Sequence, residues 1–194
     1  MKKCFLILCI LSSFQLFSQV KLTNPYEPGT IYFKDGTFKK GYLKITSSRK
    51  VKFKKTLKNK KQVFDFKTVT KIKGNYFGEH YYKKWGTTDS SYNLFKIETK
   101  GKVELYSLTY QGRNGGGGLF MYTDYYVGKA NLNTVDQLPE RVEGKKFRRI
   151  FLKHTSDCQD FTDKIKSKNS IKKNFKNKKT VLVDMVNYYN ENCN

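Results

Sequence analysis

The stretch TIYFKDGTFKKGYLKI, residues 30–45, decides the fold class of this 194-residue chain. Its β-branched and aromatic residues Thr30–Phe33 predict a strand. Lys34-Asp35-Gly36 predicts a tight turn, because Asp-Gly suits the positive φ that a short hairpin loop requires. Thr37–Ile45 predicts the next strand, with Leu43 and Ile45 on one face and Lys44 on the other. The stretch therefore predicts an antiparallel hairpin within a β-rich body.

Further short strands are predicted along the first two thirds of the chain. Val51–Lys54 alternates strictly, and Phe64–Phe66 and Val69–Ile72 are short apolar runs between turn residues. Five short strands joined by tight turns favour a small barrel or roll. Gly74–Ser91 is aromatic but has no regular period, and it predicts a loop or a poorly formed hairpin. Three later segments predict strands: Leu94–Glu98, Lys102–Leu108 and Leu119–Val127.

The last fifty residues change to a helical period and predict a small helical unit. Apolar residues recur at helical spacing over Lys145–Lys153. Ser156, followed three residues later by Gln159, has the pattern of a capping box that opens a second helix. Lys166–Lys179 is a basic connector, and Thr180 is expected to cap a third helix. Two apolar side chains are expected to anchor the connector to the core: Ile171 and Phe175.

The first eighteen residues have the organisation of a secretory signal peptide. Lys2-Lys3 supplies the positive start, Cys4–Leu11 is apolar, and polarity returns at Ser18-Gln19. The apolar run is shorter than the roughly 20 residues that span a bilayer. We therefore predict cleavage after Ser18 and export to the periplasm or cell envelope, or secretion. A lipoprotein is the alternative, although the bulky residue in Leu8-Cys9 is a poor match to a lipid-attachment motif.

Export divides the chain into three parts. Residues 1–18 are the signal peptide, residues 19–130 are β-rich, and residues 131–194 hold a linker and the C-terminal helical unit. The last two parts are expected to form one compact domain of a size typical of single domains. The predicted fold class is α+β, with a small barrel or roll plus hairpins followed by short helices.

Two cysteines remain after the predicted cleavage, Cys158 and Cys193. An even pair outside the cytoplasm is most often a disulfide. Cys158 lies near the start of one predicted helix and Cys193 just past the end of another, so antiparallel packing brings them to the same end of the unit. The alternative is a reactive thiol, because Cys158 would lie at a helix N-terminus near His154 and Asp157.

The chain is strongly basic, with a formal net charge of +23. This charge is compatible with an anionic partner, for which the candidates are lipopolysaccharide, acidic polysaccharide, an anionic membrane face or released DNA. Five arginines against many lysines argue against nucleic acid, because arginine supplies the bidentate fork that phosphates and base edges prefer. An AT-rich genome, which favours lysine over arginine, is the simpler explanation of the charge. The candidate anion contacts are Lys52, Lys54, Lys172, Lys173, Lys176, Lys178 and Lys179.

The sequence contains no strong signature of catalysis, a metal or a cofactor. The two histidines, His80 and His154, stand outside any C-x-x-C or H-E-x-x-H pattern. The glycine run 115–118 lacks the Lys-Ser/Thr ending of a phosphate loop and predicts a hairpin tip. We therefore predict no metal and no cofactor. A hydrolase with dispersed carboxylates stays open as an alternative function.

Five short motifs carry a resemblance to one group of proteins. They are Gly41–Lys44 after the Asp-Gly hairpin, Val51–Lys54, Lys102–Tyr106, Ser156–Cys158 and Val186–Asn190. Together they resemble uncharacterised exported proteins of Bacteroidetes, in some of which a similar region precedes an outer-membrane β-barrel. The resemblance implies an exported protein and brings no catalytic residues. The predicted function is a non-enzymatic periplasmic or cell-envelope module that binds an unknown envelope protein or an anionic polymer.

Overall fold

The structure is a computed structural model that describes residues 25–47, 49–86, 91–113, 118–142, 144–175 and 180–193. Within these residues, ten strands form one antiparallel sheet, and four helices follow them in the chain. This architecture confirms the predicted α+β class with a β-rich body and a C-terminal helical unit. The predicted signal peptide, residues 1–18, lies outside the described residues.

The elements are numbered here in chain order. The strands are β1 Glu27–Phe33, β2 Phe38–Ser47, β3 Lys50–Lys54, β4 Gln62–Asp65, β5 Val69–Gly74, β6 Gly78–Lys84, β7 Tyr92–Thr99, β8 Val103–Arg113, β9 Leu119–Lys129 and β10 Asp136–Gln137. The helices are α1 Lys145–Thr155, α2 Gln159–Ile165, α3 Lys168–Asn174 and α4 Val181–Asn192. The sheet order is β10-β9-β8-β7-β6-β5-β1-β2-β3-β4.

The hairpin predicted from residues 30–45 is formed by β1 and β2. Gly36 has a φ of +84°, as the Asp-Gly turn requires. The Asp35 carboxylate accepts hydrogen bonds from the backbone N–H and the hydroxyl of Thr37, at 2.9 and 2.7 Å. Ile31 and Leu43 are fully buried on the inner face. Turn chemistry and strand alternation therefore agree, which confirms this part of the prediction.

Of the predicted small barrel or roll, the closed barrel is not formed, because the sheet is open. Strands β1–β5 surround a shared core. Strand β5 pairs with β1 along one edge and with β6 along the other. The hydrogen bonds that would close a five-stranded barrel are thereby used to extend the sheet. The buried apolar residues of this first core are Ile31, Leu43, Val51, Phe53, Val69, Ile72, Tyr82 and Leu94.

The segment 74–91, predicted as a loop or a poorly formed hairpin, contains a regular strand, β6. Strand β6 pairs with β5 on one side and with β7 on the other. Both of its faces contribute to the interior, since neighbouring Tyr82 and Lys83 are both buried. A strand covered on both faces lacks the alternation of polar and apolar residues by which a half-buried strand is recognised. Residues 87–90 of this segment lie outside the described residues.

The second half of the sheet curls toward the opposite face. The backbone N–H of Lys84 donates to the Asn133 carbonyl at 2.8 Å, and the Lys84 carbonyl accepts from the Val135 N–H at 2.8 Å. These bonds hold the segment after β9 against the end of β6. A second core lies beneath it: Phe95, Tyr106, Leu108, Tyr126 and Val135.

The helices cover the other face of β8 and β9. Val103, Leu105 and Val127 from the sheet pack with apolar side chains of all four helices. Helix α1 confirms the predicted helix at Lys145–Lys153, and Ile171 and Phe175 are buried, as expected of anchors. None of the helices in the described part of the chain has both the length and the hydrophobicity to cross a bilayer.

Two details of the helical unit differ from the sequence prediction. Ser156 is the C-cap of α1, and α2 begins after Cys158 with no side-chain cap, so the predicted capping box is absent there. The connector is partly helical, because the Ser167 hydroxyl caps α3 by accepting from the Ser170 N–H at 3.0 Å. Ser156 and Gln159 have the spacing of a capping box, but the first residue ends α1 and the second begins α2.

Candidate functional site

The outer face of β1, β2, β3 and β5 is rich in lysine and aromatic side chains. Successive residues of a strand point to opposite faces, so the buried Ile31, Leu43, Phe53 and Ile72 assign their neighbours to the solvent side. We call this surface the lysine–tyrosine face. Its side chains are those of Tyr32, Phe38, Lys40, Tyr42, Lys44, Lys52, Lys54, Lys71 and Lys73.

The strand register brings like charges together on this face. Lys44 of β2 stands directly opposite Lys52 of β3, and Tyr42 stands opposite Lys54. Like charges in direct cross-strand pairs destabilise a sheet. The Lys44–Lys52 pair thus concentrates positive charge on this face and lowers the stability of the sheet. A bound anion would reduce the repulsion between the two ammonium groups. The predicted contacts Lys52 and Lys54 both belong to this group.

Aromatic rings lie beneath two of these ammonium groups. The Lys54 Nζ is 5.0 Å from the centre of the Tyr26 ring, and the Lys71 Nζ is 4.7 Å from that of Tyr32. Cation–π contacts of this kind are worth about 0.5–1 kcal/mol at exposed sites. They hold the lysine side chains along the sheet and leave aromatic edges beside them for stacking.

The carboxylates of this half of the molecule have other partners. Residues 25–84 contain seventeen lysines and arginines but four carboxylates, those of Glu27, Asp35, Asp65 and Glu79. The first three accept hydrogen bonds from backbone N–H groups at 2.9–3.1 Å. Lysine charge therefore dominates the lysine–tyrosine face.

Glu79 is the carboxylate at the border of the face. It accepts hydrogen bonds from Lys100, Tyr81 and Lys71. Burial alone would raise its pKa, but the bonds from Lys100, Tyr81 and Lys71 outweigh burial and lower the pKa to about 2. Glu79 is therefore ionised at neutral pH and orders the side chains around it.

The predicted lysine contacts do not form one site. Lys172 and Lys173 are exposed on α3, which packs on the helix-covered face near β8 and β9. Strand β3, which carries Lys52 and Lys54, is six positions from β8 in the sheet order. The remaining predicted contacts, Lys176, Lys178 and Lys179, lie outside the described residues. The structure thus separates Lys52 and Lys54 from Lys172 and Lys173.

The predicted disulfide is present. Cys158 at the start of α2 is bonded to Cys193 just past α4, with the two Cα atoms 5.6 Å apart. A bonded sulfur cannot act as the nucleophile of the alternative prediction. His154 instead has its Nε2 2.7 Å from Asp136. Burial lowers the pKa of His154, and Asp136 opposes that shift.

A separate cleft of about 670 Å³ lies between the end of β6 and the segment after β9. The Lys83 ammonium donates to the Leu132 carbonyl at 2.7 Å and lies 4.0 Å from the Glu104 carboxylate. The Tyr106 hydroxyl donates to Glu104 in turn. The walls of the cleft include Lys34, Phe66, Val69, Thr70, Tyr81, Tyr82, Lys83, Tyr92, Glu104 and residues 130–133.

The polar side chains in the cleft, those of Lys83, Glu104 and Tyr106, contact one another or the backbone. Burial lowers the pKa of Lys83, and Glu104 acts against this shift. Burial and the bond to Glu104 raise the pKa of Tyr106 above its ordinary range. Sequence reasoning missed these residues, because residues 83, 104 and 132 converge only through the strand order. A lysine within Tyr81–Lys84 gives no local signal that it is buried.

The chemistry of the described residues offers no metal site, since they contain no cluster of three or more histidine, cysteine or carboxylate side chains suited to a metal. Two carboxylates, Asp124 and Glu140, line a smaller cavity of about 230 Å³ beside α4. Burial and the neighbouring Glu140 raise the pKa of Asp124, while Glu140 itself is exposed.

Comparison of the chain with protein-family models, curated proteins and solved structures found no match. The resemblance to exported Bacteroidetes proteins therefore stays a prediction. The candidate site rests on the geometry of the lysine–tyrosine face.

Proposed function

We propose that this protein is an exported, non-enzymatic module of the cell envelope that binds an anionic polysaccharide through the lysine–tyrosine face. The observation that carries the proposal is the direct pairing of Lys44 with Lys52, flanked by the Tyr42–Lys54 pair. An extended polyanion places its charges along a line and would neutralise neighbouring lysines together. Binding would release counterions and would therefore weaken steeply with salt.

The composition of the face favours a polysaccharide over nucleic acid. Its cations are lysines, which act as point charges and tolerate carboxylate, sulfate or phosphate in many orientations. Its aromatic rings, such as Tyr32 and Phe38 with centroids 6.2 Å apart, offer apolar edges against which sugar rings can pack. The predicted envelope-protein partner would need an acidic surface to meet the same face.

Two features support a location outside the cytoplasm. The Cys158–Cys193 bond is the state expected in an oxidising compartment. The sequence of residues 1–18 has the pattern of a signal peptide. Mass spectrometry of the protein isolated from its own cells tests this part of the proposal. A native chain that begins at Met1 in the cytosolic fraction would contradict it.

The binding test compares two charge reversals of equal size. Lys44→Glu/Lys52→Glu alters the lysine–tyrosine face, and Lys172→Glu/Lys173→Glu alters exposed lysines on α3 by the same net charge. We expect the first variant to bind polygalacturonate about tenfold more weakly at low salt and with a smaller salt dependence. The second variant should lose at most about twofold, the effect of total charge.

Equal losses in the two variants would contradict the proposal, because they would mean that net charge alone drives binding. Circular dichroism of both variants checks that each is folded. The alternative of a hydrolase stays a prediction, and Asp124 and Glu140 are the carboxylate pair it would use. Release of reducing sugar ends that is abolished by Asp124→Asn would support the hydrolase over the binding module.

A further inference from the structure

The paired strands β8 and β9 extend beyond the rest of the sheet as a two-stranded arm. The register of β7 with β8 runs from Leu105 to Ser107, whereas β8 and β9 stay paired out to Arg113 and Leu119. We define the arm as residues 109–113 and 119–122. Five strand residues give it a length of about 17 Å.

The first four residues of β9, which belong to the arm, all have large apolar side chains. The exposed fractions are 61% for Leu119, 45% for Phe120, 73% for Met121 and 47% for Tyr122. Because successive strand residues point to opposite sides, the arm presents apolar surface on both of its faces. A continuous apolar patch of this kind marks an interaction site in a soluble protein.

The geometry points to a lipid bilayer as the partner that covers the arm. A flat protein partner would cover one face and leave the other in water, whereas the bilayer interface surrounds an inserted hairpin. A second copy that paired with the open strand edges would also leave both faces uncovered. We propose that the arm inserts into the interfacial layer of an anionic membrane.

The composition of the arm fits the interfacial layer. Tyr110 and Tyr122 stack with ring centroids 5.1 Å apart, and Phe120 lies 5.7 Å from Tyr122. Tyrosine rings favour the headgroup level, where one end is apolar and the other hydrated. Interfacial elements bury their apolar surface by about 5–10 Å, which is within the length of the arm.

The charge of the chain selects an anionic membrane. The sequence between Glu104 and Asp124 contains no carboxylate, so nothing in it repels anionic headgroups. The whole chain carries a formal net charge of +23, which attracts such a surface over several ångströms. Apolar insertion and long-range attraction are the two contributions that together give stable membrane binding.

The test is sedimentation of the full chain with vesicles of phosphatidylcholine and phosphatidylglycerol at 3:1. Leu119→Ser/Met121→Ser removes the two most exposed apolar side chains of the arm. Leu57→Ser/Val63→Ser is the matched control, because those side chains are 55% and 51% exposed around the β3–β4 connection. We expect the arm variant to bind these vesicles at least tenfold more weakly, and the control to bind within twofold of the native chain.

Four results complete the test. The Tyr122→Trp variant should show a blue shift of tryptophan emission with these vesicles that exceeds the shift given by Trp85 in the native chain. The arm variant should keep its affinity for polygalacturonate, which separates this proposal from that for the lysine–tyrosine face. Unchanged vesicle binding by the arm variant would overturn the proposal. So would a native dimer in sedimentation velocity that the arm variant converts to a monomer, with no vesicle binding by either.

Discussion

Removal of the Cys158–Cys193 bond is predicted to destabilise the protein by about 4 kcal/mol. The two residues are 35 positions apart in the sequence. In the chain-entropy description, closing a loop of this length removes roughly 13 cal/mol/K from the unfolded ensemble, which is about 4 kcal/mol at room temperature. The perturbation is Cys158→Ala/Cys193→Ala, with reduction of the native chain as an independent route to the same state.

The folded state should keep its shape after this change, because other contacts hold the same elements. The Tyr189 hydroxyl donates to the Asp157 carboxylate at 2.7 Å, which joins α4 to the start of α2. The Lys102 ammonium donates to the Cys193 carbonyl at 3.0 Å, which fixes the chain after α4 against the sheet. The lost stability therefore comes chiefly from the unfolded state, and the circular dichroism spectrum should be unchanged.

The assay is equilibrium unfolding in urea, followed by circular dichroism, for the oxidised, reduced and double-alanine proteins. The reduced and double-alanine proteins should agree within about 1 kcal/mol and lie about 4 kcal/mol below the oxidised one. Thiol titration of the unreduced native protein should detect neither Cys158 nor Cys193. Two titratable thiols, or a loss below about 1 kcal/mol, would refute the reasoning.

Three further changes test contacts that the structure places at the edges of the cores. Asn190→Ala should cost about 2 kcal/mol in urea unfolding, because the Asn190 side-chain amide accepts from the Val103 N–H at 3.0 Å and donates to the Val103 carbonyl at 2.8 Å. Asn190→Asp should also destabilise the protein, because a carboxylate cannot donate to that carbonyl. Glu79 has a pKa of about 2, below its ordinary value, so its contribution to stability is complete above about pH 4.5 and is lost as the pH falls toward 2. The thermal midpoint of the Glu79→Gln variant should therefore depend less on pH between about 4.5 and 2 than that of the native chain. Gly41→Ala should lower the thermal midpoint, because the new Cβ would lie 2.4 Å from the Lys54 carbonyl oxygen, whereas Gly86→Ala, where the nearest atom is 3.1 Å away, should have a smaller effect.

Local chemistry made part of the fold predictable. The turn at Asp35-Gly36 and the alternation in Val51–Lys54 act over a few residues, and the structure has the expected hairpin and strand there. The Cys158–Cys193 bond was predictable for a similar reason, since helix lengths and the positions of the cysteines set their separation. In each case the determining contacts lie close in sequence or follow from simple helix geometry.

Burial by distant segments made other parts unpredictable. Tyr82 and Lys83 in β6 are both buried because the first core covers one face and the segment after β9 covers the other. Neither covering element is visible from the sequence of the strand itself. The capping box at Ser156 failed for a different reason, because Ser156 is the C-cap of α1 and α2 begins only after Cys158.

The candidate site shows the same division. Alternation alone assigned Lys52 and Lys54 to one face of their strand. Which other residues share that face depends on strand order, and β5 lies beside β1 rather than β4. This order places Lys73 opposite Thr30, an adjacency that no local pattern encodes. The composition of the lysine–tyrosine face therefore required the sheet topology.

One row of cross-strand neighbours shows why aromatic residues on the same face of the sheet are exposed at β2 and buried at β7. Phe38, Tyr32, Lys71, Tyr81 and Phe95 stand opposite one another across β2, β1, β5, β6 and β7. Phe38 is 58% exposed, whereas Phe95 is fully buried. The sheet curls toward one face before β6 and toward the other after it, so the outer face of the first half becomes the inner face of the second. The lysine–tyrosine face must therefore end at β6, where Glu79 binds Lys71 and where Lys83 is already buried with Glu104.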